Sequence, residues 1–310
     1  MKIGLMISMP GDTTGSAGLV DRAREAEADG FASVWLPQVS GLDAMSVLAM
    51  AGRETERIEL GTAVVPTYPR HPTVMAGQAL TVQDASNGRF SLGIGLSHKM
   101  VIEDSFGLDY SRPIPHTREY LTVLNGLLCG ERVQFEGELF KVSAQVGVAG
   151  ATKPPVLVAA LGPDMLRLCG RLADGTVTWM GGLSYLKEVA VPTMGGAAEA
   201  AGRPAPRFVT MVPVLLTDDI DGGRELVNKG LQMYGRIPSY RATLDRGGAA
   251  LPSDVAIIGG ESVIEQGLRD YAEAGATDFV TVVPMNAGGD EERTRGFVAG
   301  LARGGLAGEG

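Results

Sequence analysis

Residues 58–98 read IELGTAVVPTYPRHPTVMAGQALTVQDASNGRFSLGIGLSH, and this stretch decides the fold. An apolar run leads into Gly61-Thr62-Ala63-Val64-Val65-Pro66, Pro72 opens a helix, Asn87-Gly88 makes a turn, and a second apolar run ends in Gly93-Ile94-Gly95. Strand, loop, helix, turn and strand in that order form the repeat of a parallel α/β protein. Glycine and small residues at the strand ends let backbone come close to a ligand. The loops beyond them, residues 63–68 and 96–98, are therefore where chemistry is expected.

The same unit recurs outward in both directions. Further strands are predicted at 2–8, 31–37, 155–160, 175–179, 207–216 and 278–283, beside those at 58–63 and 90–94. Helices are expected at 16–29, 43–54, 72–86, 120–129, from Gly162-Pro163-Asp164 onward, at 183–201 and at 291–301. Eight strand and helix units predict an α/β fold of (β/α)8 TIM-barrel type, with residues 1–303 as one domain and 304–310 as a flexible tail. Insertions are expected near 95–115, as a long functional connection, near 131–150, beginning with a hairpin, and at 220–271, as a multi-helix segment. A doubly wound sheet would carry its glycine-rich phosphate turn after strand one, where Met9-Pro10-Gly11 stands instead.

Composition narrows the function. A net charge of -9 lacks the basic stripe of a nucleic-acid binder. No apolar run approaches the roughly 20 residues that span a bilayer, so no membrane partner is expected. The start, MKIGLMISMPGD, reads as a strand rather than a signal peptide. Cys129 and Cys169 sit among leucines in predicted helices and read as small buried hydrophobes, which suits a reducing cytoplasm. A small-molecule substrate is the partner these features leave.

In a barrel the site lies at the C-terminal strand ends. That gathers Ser8, Gln38, Ala63, Val64, Val65, Leu96, Ser97, His98, Ala160, Leu161, Gly162 and Trp179 around one mouth, with Ala159 and Pro163 at its edge. The set is apolar and poor in acids and bases, which suits a planar ring better than a metal, and no metal site is expected. Of His71, His98 and His116, only His98 follows a strand end within one tight turn. It either contacts a cofactor or substrate, with a pKa suited to proton transfer, or is a solvated loop residue. His71 before Pro72 has the place of a helix cap. His116 and Arg118 are expected on a solvated face or against a lid, and Met165 and Met180 as gap-fillers. The free N–H groups after Ala159-Ala160-Leu161-Gly162-Pro163 either receive a phosphate or simply begin a helix.

The order GTAVVPTYPRHP, then ASNGRFSLGIGLSH, resembles the luciferase-like monooxygenase superfamily, and more closely its branch using the deazaflavin coenzyme F420. The resemblance implies a homodimeric barrel in which a cis peptide between Ala63 and Val64 props one face of the deazaflavin. It also implies that residues 159–163 take the cofactor's phosphate-bearing tail. Two departures qualify it. Trp35-Leu36-Pro37-Gln38-Val39 stands where the family's sugar-phosphate dehydrogenases have an Asp-His pair, with Val39 in the histidine's place, and no Lys/Arg cluster follows Trp179. The expectation is hydride transfer between the deazaflavin C5 and a small apolar or enone-like substrate, with His98 as catalytic candidate. The alternatives are an FMN-dependent monooxygenase and a deazaflavin-binding protein without turnover.

Overall fold

The computed structural model describes residues 1–38 and 41–304. Eight parallel strands form the centre: β1 (Lys2–Met6), β2 (Ser33–Leu36), β3 (Glu59–Thr62), β4 (Phe90–Gly95), β5 (Val156–Val158), β6 (Gly175–Trp179), β7 (Arg207–Leu216) and β8 (Asp278–Val282). Each pairs with the next, and β8 pairs with β1 through Lys2↔Asp278 to Leu5↔Thr281, so the sheet closes on itself. This is the expected (β/α)8 barrel.

Side chains alternate between the barrel interior and the helix layer. Trp35, fully buried, fills the middle of the interior with Leu157, Val177, Val209, Met211, Val280 and Val282. Its indole N–H donates to Ser33 Oγ at 2.9 Å. Gly61 is required beside it, since a Cβ there would stand 2.3 Å from a Trp35 ring carbon. The N-terminal end is stoppered by polar groups: Arg207 on β7 binds Glu59 on β3 at 2.8 Å and Asp278 on β8 at 2.7 Å.

The outer layer comprises α1 (Ser16–Ala28), α2 (Ala44–Glu54), α3 (Pro72–Ala85), α4 (Pro113–Leu128), α5 (Pro163–Leu172), α6 (a composite of Leu183–Tyr185, Leu186–Ala190 and Val191–Ala200), α7 (Glu261–Glu273) and α8 (Gly289–Gly304). Asp43 caps α2 by accepting from Ser46 N at 2.8 Å. The middle section of α6 is a π-helical turn.

The insertions differ in detail from expectation. The 95–115 connection contains a π-turn at Val101–Ser105, and α4 starts at Pro113, seven residues before the predicted 120. Proline at the first turn lets the helix begin there. The hairpin is present as Val133–Glu136 against Lys141–Ala144. Within 220–271 stand two helices, Ile220–Gly230 and Pro238–Arg246, and a turn at Pro252–Val255. The C-terminal part of that span is not insertion: Ile257–Gly259 is a short strand on the end of β7, and α7 is an ordinary barrel helix. Gly304, the first residue of the expected tail, still belongs to α8, whose Arg303 donates to the Asp29 carbonyl at 2.5 Å. Residues 305–310 and Val39 lie outside the described residues. Cys169 is buried as expected, whereas Cys129, one residue past α4, is exposed.

Candidate active site

The mouth is shaped by an extra residue. β3 pairs with β4 at Leu60↔Phe90 and Gly61↔Ser91, and pairing resumes at Val65↔Ile94 and Pro66↔Gly95. Thr62, Ala63 and Val64 thus oppose only Leu92 and Gly93, which makes a β-bulge. The Thr62 hydroxyl bridges the gap, donating to Gly93 O at 2.7 Å and accepting from Gly93 N at 2.8 Å. The Ala63–Val64 peptide is cis, as the resemblance implied. The bulge turns Ala63 and Val64 toward the interior, where they join Met6, Met9 and Trp179 above the Trp35 cluster. Gly93 and Gly95 make room for the bulge itself rather than for a ligand: a Cβ on Gly95 would meet Val64 Cγ2 at 2.6 Å.

The remaining candidates divide. Val65 and Ala160 are fully buried in the outer core, so their side chains do not face the mouth, and Leu96 and Leu161, partly buried, pack against that core. The Gln38 side-chain Oε1 accepts from Ala44 N and from Arg70, both at 3.2 Å, which ties it to the start of α2. Ser8 lines a cavity of about 580 Å³ over the ends of β1 and β8, with Met9, Asp12, Arg22, Met285 and Asn286. Ala159 N donates to Ile94 O, and Gly162 with Pro163 opens α5, whose first-turn N–H groups have no carbonyl partner within the helix. Ser97 has a left-handed φ of 60° and presents its carbonyl to Tyr110.

His98 stands at the mouth, half-buried, and burial lowers its pKa below the usual 6.5. Its ring meets Tyr240 edge-on at 5.7 Å. Tyr240 meets Tyr234 at 5.0 Å, and Tyr234 meets Trp179 at 5.8 Å. An arch of four rings thus runs from β4 to β6 across the end of β5. His71 caps α3, accepting from Thr73 N through Nδ1 at 3.3 Å. His116 is buried rather than solvated: it stacks on Tyr68 at 4.0 Å and bonds Thr67 Oγ1 at 3.0 Å. Burial pushes its pKa down to about 4 against the opposing charge of Glu119. Among the described residues no group of three or more His, Cys, Asp and Glu side chains is placed to hold a metal ion.

Residues 1–280 match the luciferase-like monooxygenase family. The chain belongs to that family. It is 27% identical over 276 residues to 5,10-methylenetetrahydromethanopterin reductase of Methanolobus tindarius, covering 83% of this chain and 82% of the relative. It is 31% identical over 227 residues to F420-dependent glucose-6-phosphate dehydrogenase of Nakamurella multipartita, covering 68% and 67%. The coenzyme F420 dependent tetrahydromethanopterin reductase from Methanopyrus kandleri shares the fold, with a TM-score of 0.77 at 22% identity over 96% of this chain and 97% of that one.

The mouth of this luciferase-like chain was legible in the sequence only in part. Tyr234 and Tyr240 were missed, because they sit in the insertion, over 130 residues from His98 in sequence. Their one visible signal was aromatic side chains flanking Ile237-Pro238 in an otherwise polar segment. Tyr68, at the end of the expected 63–68 loop, has a buried hydroxyl without a partner among the described residues.

Proposed function

We propose that this luciferase-like protein is an F420-dependent oxidoreductase that moves a hydride between the deazaflavin C5 and a small, apolar or enone-like substrate. The observation that carries this reading is the apolar platform of Met6, Met9, Ala63, Val64 and Trp179, with a single imidazole, His98, at its rim. A flat tricyclic ring fits such a surface, and the unpaired first-turn N–H groups of α5 suit a phosphate-bearing tail. A bound deazaflavin supplies a hydride donor or acceptor at C5. Ala63 and Val64 hold one ring face, and the arch excludes water from the other side of the mouth. His98 is neutral at pH 7 because burial lowers its pKa. It would therefore accept a proton from a substrate hydroxyl during oxidation, and the imidazolium so formed would give that proton back in the reverse reaction. Glucose 6-phosphate does not suit this mouth, since the apolar platform supplies no cationic cluster for a phosphate.

Two further features belong to the proposal. The protein acts in the cytoplasm, and among the described residues no helix is long and apolar enough to cross a membrane. It also forms a homodimer through α2 and α3, supported by the exposed apolar side chains of Met50 and Val74 on those neighbouring helices. Light scattering of Met50→Glu/Val74→Glu beside the parent chain reads that contact.

The deciding experiment titrates the purified protein with F420 and, separately, FMN, following ring fluorescence and absorbance. Saturable F420 binding with weak FMN binding, lost in Val64→Asp, supports the reading. Tighter FMN binding makes the protein an FMN-dependent monooxygenase instead. F420 binding with no substrate-dependent oxidation makes it a non-catalytic carrier, and binding of neither cofactor removes the redox assignment.

A further inference from the structure

We infer that Arg70 is a positioning residue for the platform: from the turn after β3 it fixes Gln38 at the end of β2, and Gln38 in turn fixes the Val64 carbonyl. This deepens the proposed function and rests on it only for the identity of the ring that Val64 supports.

The first observation is how weakly the strands themselves hold the bulge on its β2 side. Toward β4, Thr62 makes two bonds with Gly93, at 2.7 and 2.8 Å. Toward β2, Ala63 N donates to Leu36 O at 2.9 Å, but Gln38 N donates to Val64 O only at 3.4 Å. An N–H···O bond longer than about 3.2 Å is weak, so this one does not decide where Gln38 lies. Something outside the strands must.

The second observation is a clamp on the Gln38 side chain. Its Oε1 accepts from Arg70 Nη2 and from Ala44 N, both at 3.2 Å. The same Nη2 donates to Asp43 Oδ2, so one guanidinium nitrogen joins the end of β2, the cap of α2 and the turn after β3. Burial would raise the Asp43 pKa, but the bonds from Ser46 and the Arg70 charge bring it below 3.8. Asp43 is therefore ionised at neutral pH, and Arg70 keeps a charged anchor beside its neutral one.

The third is the footing of Arg70. Its N–H donates to Thr67 O at 3.1 Å, and Thr67 N donates to Gly95 O at 2.9 Å. Its carbonyl accepts from the hydroxyl of the fully buried Tyr120 at 2.9 Å. With its backbone tied to β4 and α4 and its side chain only 14% exposed, Arg70 has little freedom. It keeps the loops after β2 and β3 at one spacing, and across that spacing Gln38 meets Val64.

The test reads two quantities on the full chain: F420 affinity by ring-fluorescence titration, and residue-resolved hydrogen exchange of the Gln38 amide without cofactor. Arg70→Met keeps the stem and loses the donors. It should weaken F420 binding about tenfold, the effect of one hydrogen bond to a charged group, and speed Gln38 exchange, while Gly93, held by Thr62, keeps its parent rate. Gln38→Met should weaken binding equally, and the double variant no further than either, because both cut the same link. Arg70→Lys should return affinity to within about threefold of the parent, since an ammonium still has separate hydrogens for Gln38 and Asp43. Additive losses in the double variant, no rescue by lysine, or unchanged Gln38 exchange in Arg70→Met overturns the positioning role. If Arg70→Met does not fold, parent-like F420 affinity in Gln38→Met overturns it, and a tenfold loss there with rescue by Arg70→Lys upholds it. If the parent binds no F420 while Gln38 exchange still rises in Arg70→Met, the cofactor reading falls and the positioning stands.

Discussion

Gly95 and Val64 fit together at the level of single atoms. A Cβ on residue 95 would stand 2.6 Å from Val64 Cγ2 and 3.3 Å from Ala159 Cβ, and neither neighbour is the far end of a flexible side chain. Gly95→Ala should therefore push Val64 off the platform, weakening F420 binding and costing about 1–3 kcal/mol of stability by overpacking, both readable by titration and urea denaturation. The sequence made these glycines conspicuous but not their purpose, because the partner they accommodate is a bulge on another strand. His98 carries the second residue-level expectation. Burial places its folded pKa below 6.5, so it is neutral from there upward. The kcat/KM for oxidation should rise with pH through that lowered pKa and stay level above it. His98→Asn should abolish the rise and reduce kcat by about 10²–10⁴. A variant keeping the same pH limb would show that another group moves the proton. The position of His98 just after a strand end was legible; its burial was not, since that comes from the insertion whose Tyr240 packs against its ring.

At the scale of elements, two carboxylates hold connections onto the barrel. Glu27 of α1 accepts from the N–H groups of Glu56, Arg57 and Ile58, which fixes the entry into β3. Glu119 of α4 accepts from Glu138 at 3.0 Å, Leu139 at 2.9 Å and Phe140 at 3.0 Å, which pins the hairpin. Burial alone would raise the Glu119 pKa, but those three bonds and the Arg118 charge bring it below 4.5. A carboxylate lowered in the folded state stabilises at neutral pH, and the contribution fades as pH falls through the folded pKa. Glu119→Ala should thus cost about 2 kcal/mol at pH 7, with the difference from the parent shrinking at acid pH in paired denaturation curves. Elements with a strong period or a turn signal were legible here: the hairpin, α1, β6 and β7. The Ile257–Gly259 strand was not, because three residues establish no period and Gly259-Gly260 reads as loop. The start of α4 was hidden by two prolines that a first turn tolerates.

For the whole molecule the two ends of the barrel differ in kind: an apolar mouth above, an ion-paired stopper below. The closed ring was readable from the eight-fold alternation of apolar runs and helices, whereas the lower stopper was not, since Glu59, Arg207 and Asp278 lie far apart in sequence and each reads as a polar strand start. Together they join β3, β7 and β8, with Lys2 of β1 reaching Glu59 at 3.6 Å and Ser91 of β4 donating to it at 2.5 Å. Arg207 is the only cation touching both acids among the described residues, and its pKa is driven up by them in spite of burial. Arg207→Met keeps most of the side-chain volume but leaves two carboxylates facing each other with only Lys2, an exposed lysine that reaches Glu59 alone. Removing one partner of a buried ion network costs about 3–5 kcal/mol, so the urea midpoint should fall sharply. Adding Glu59→Gln and Asp278→Asn to Arg207→Met removes the uncompensated charge and should recover much of that loss. Because the stopper and the mouth are separated by the Trp35 layer, F420 affinity should stay within about twofold of the parent wherever the variant is folded, as expected for distant sites that share no partner. A large loss of affinity in a folded Arg207→Met would mean that the barrel transmits strain from end to end, and would place the lower network among the determinants of the site.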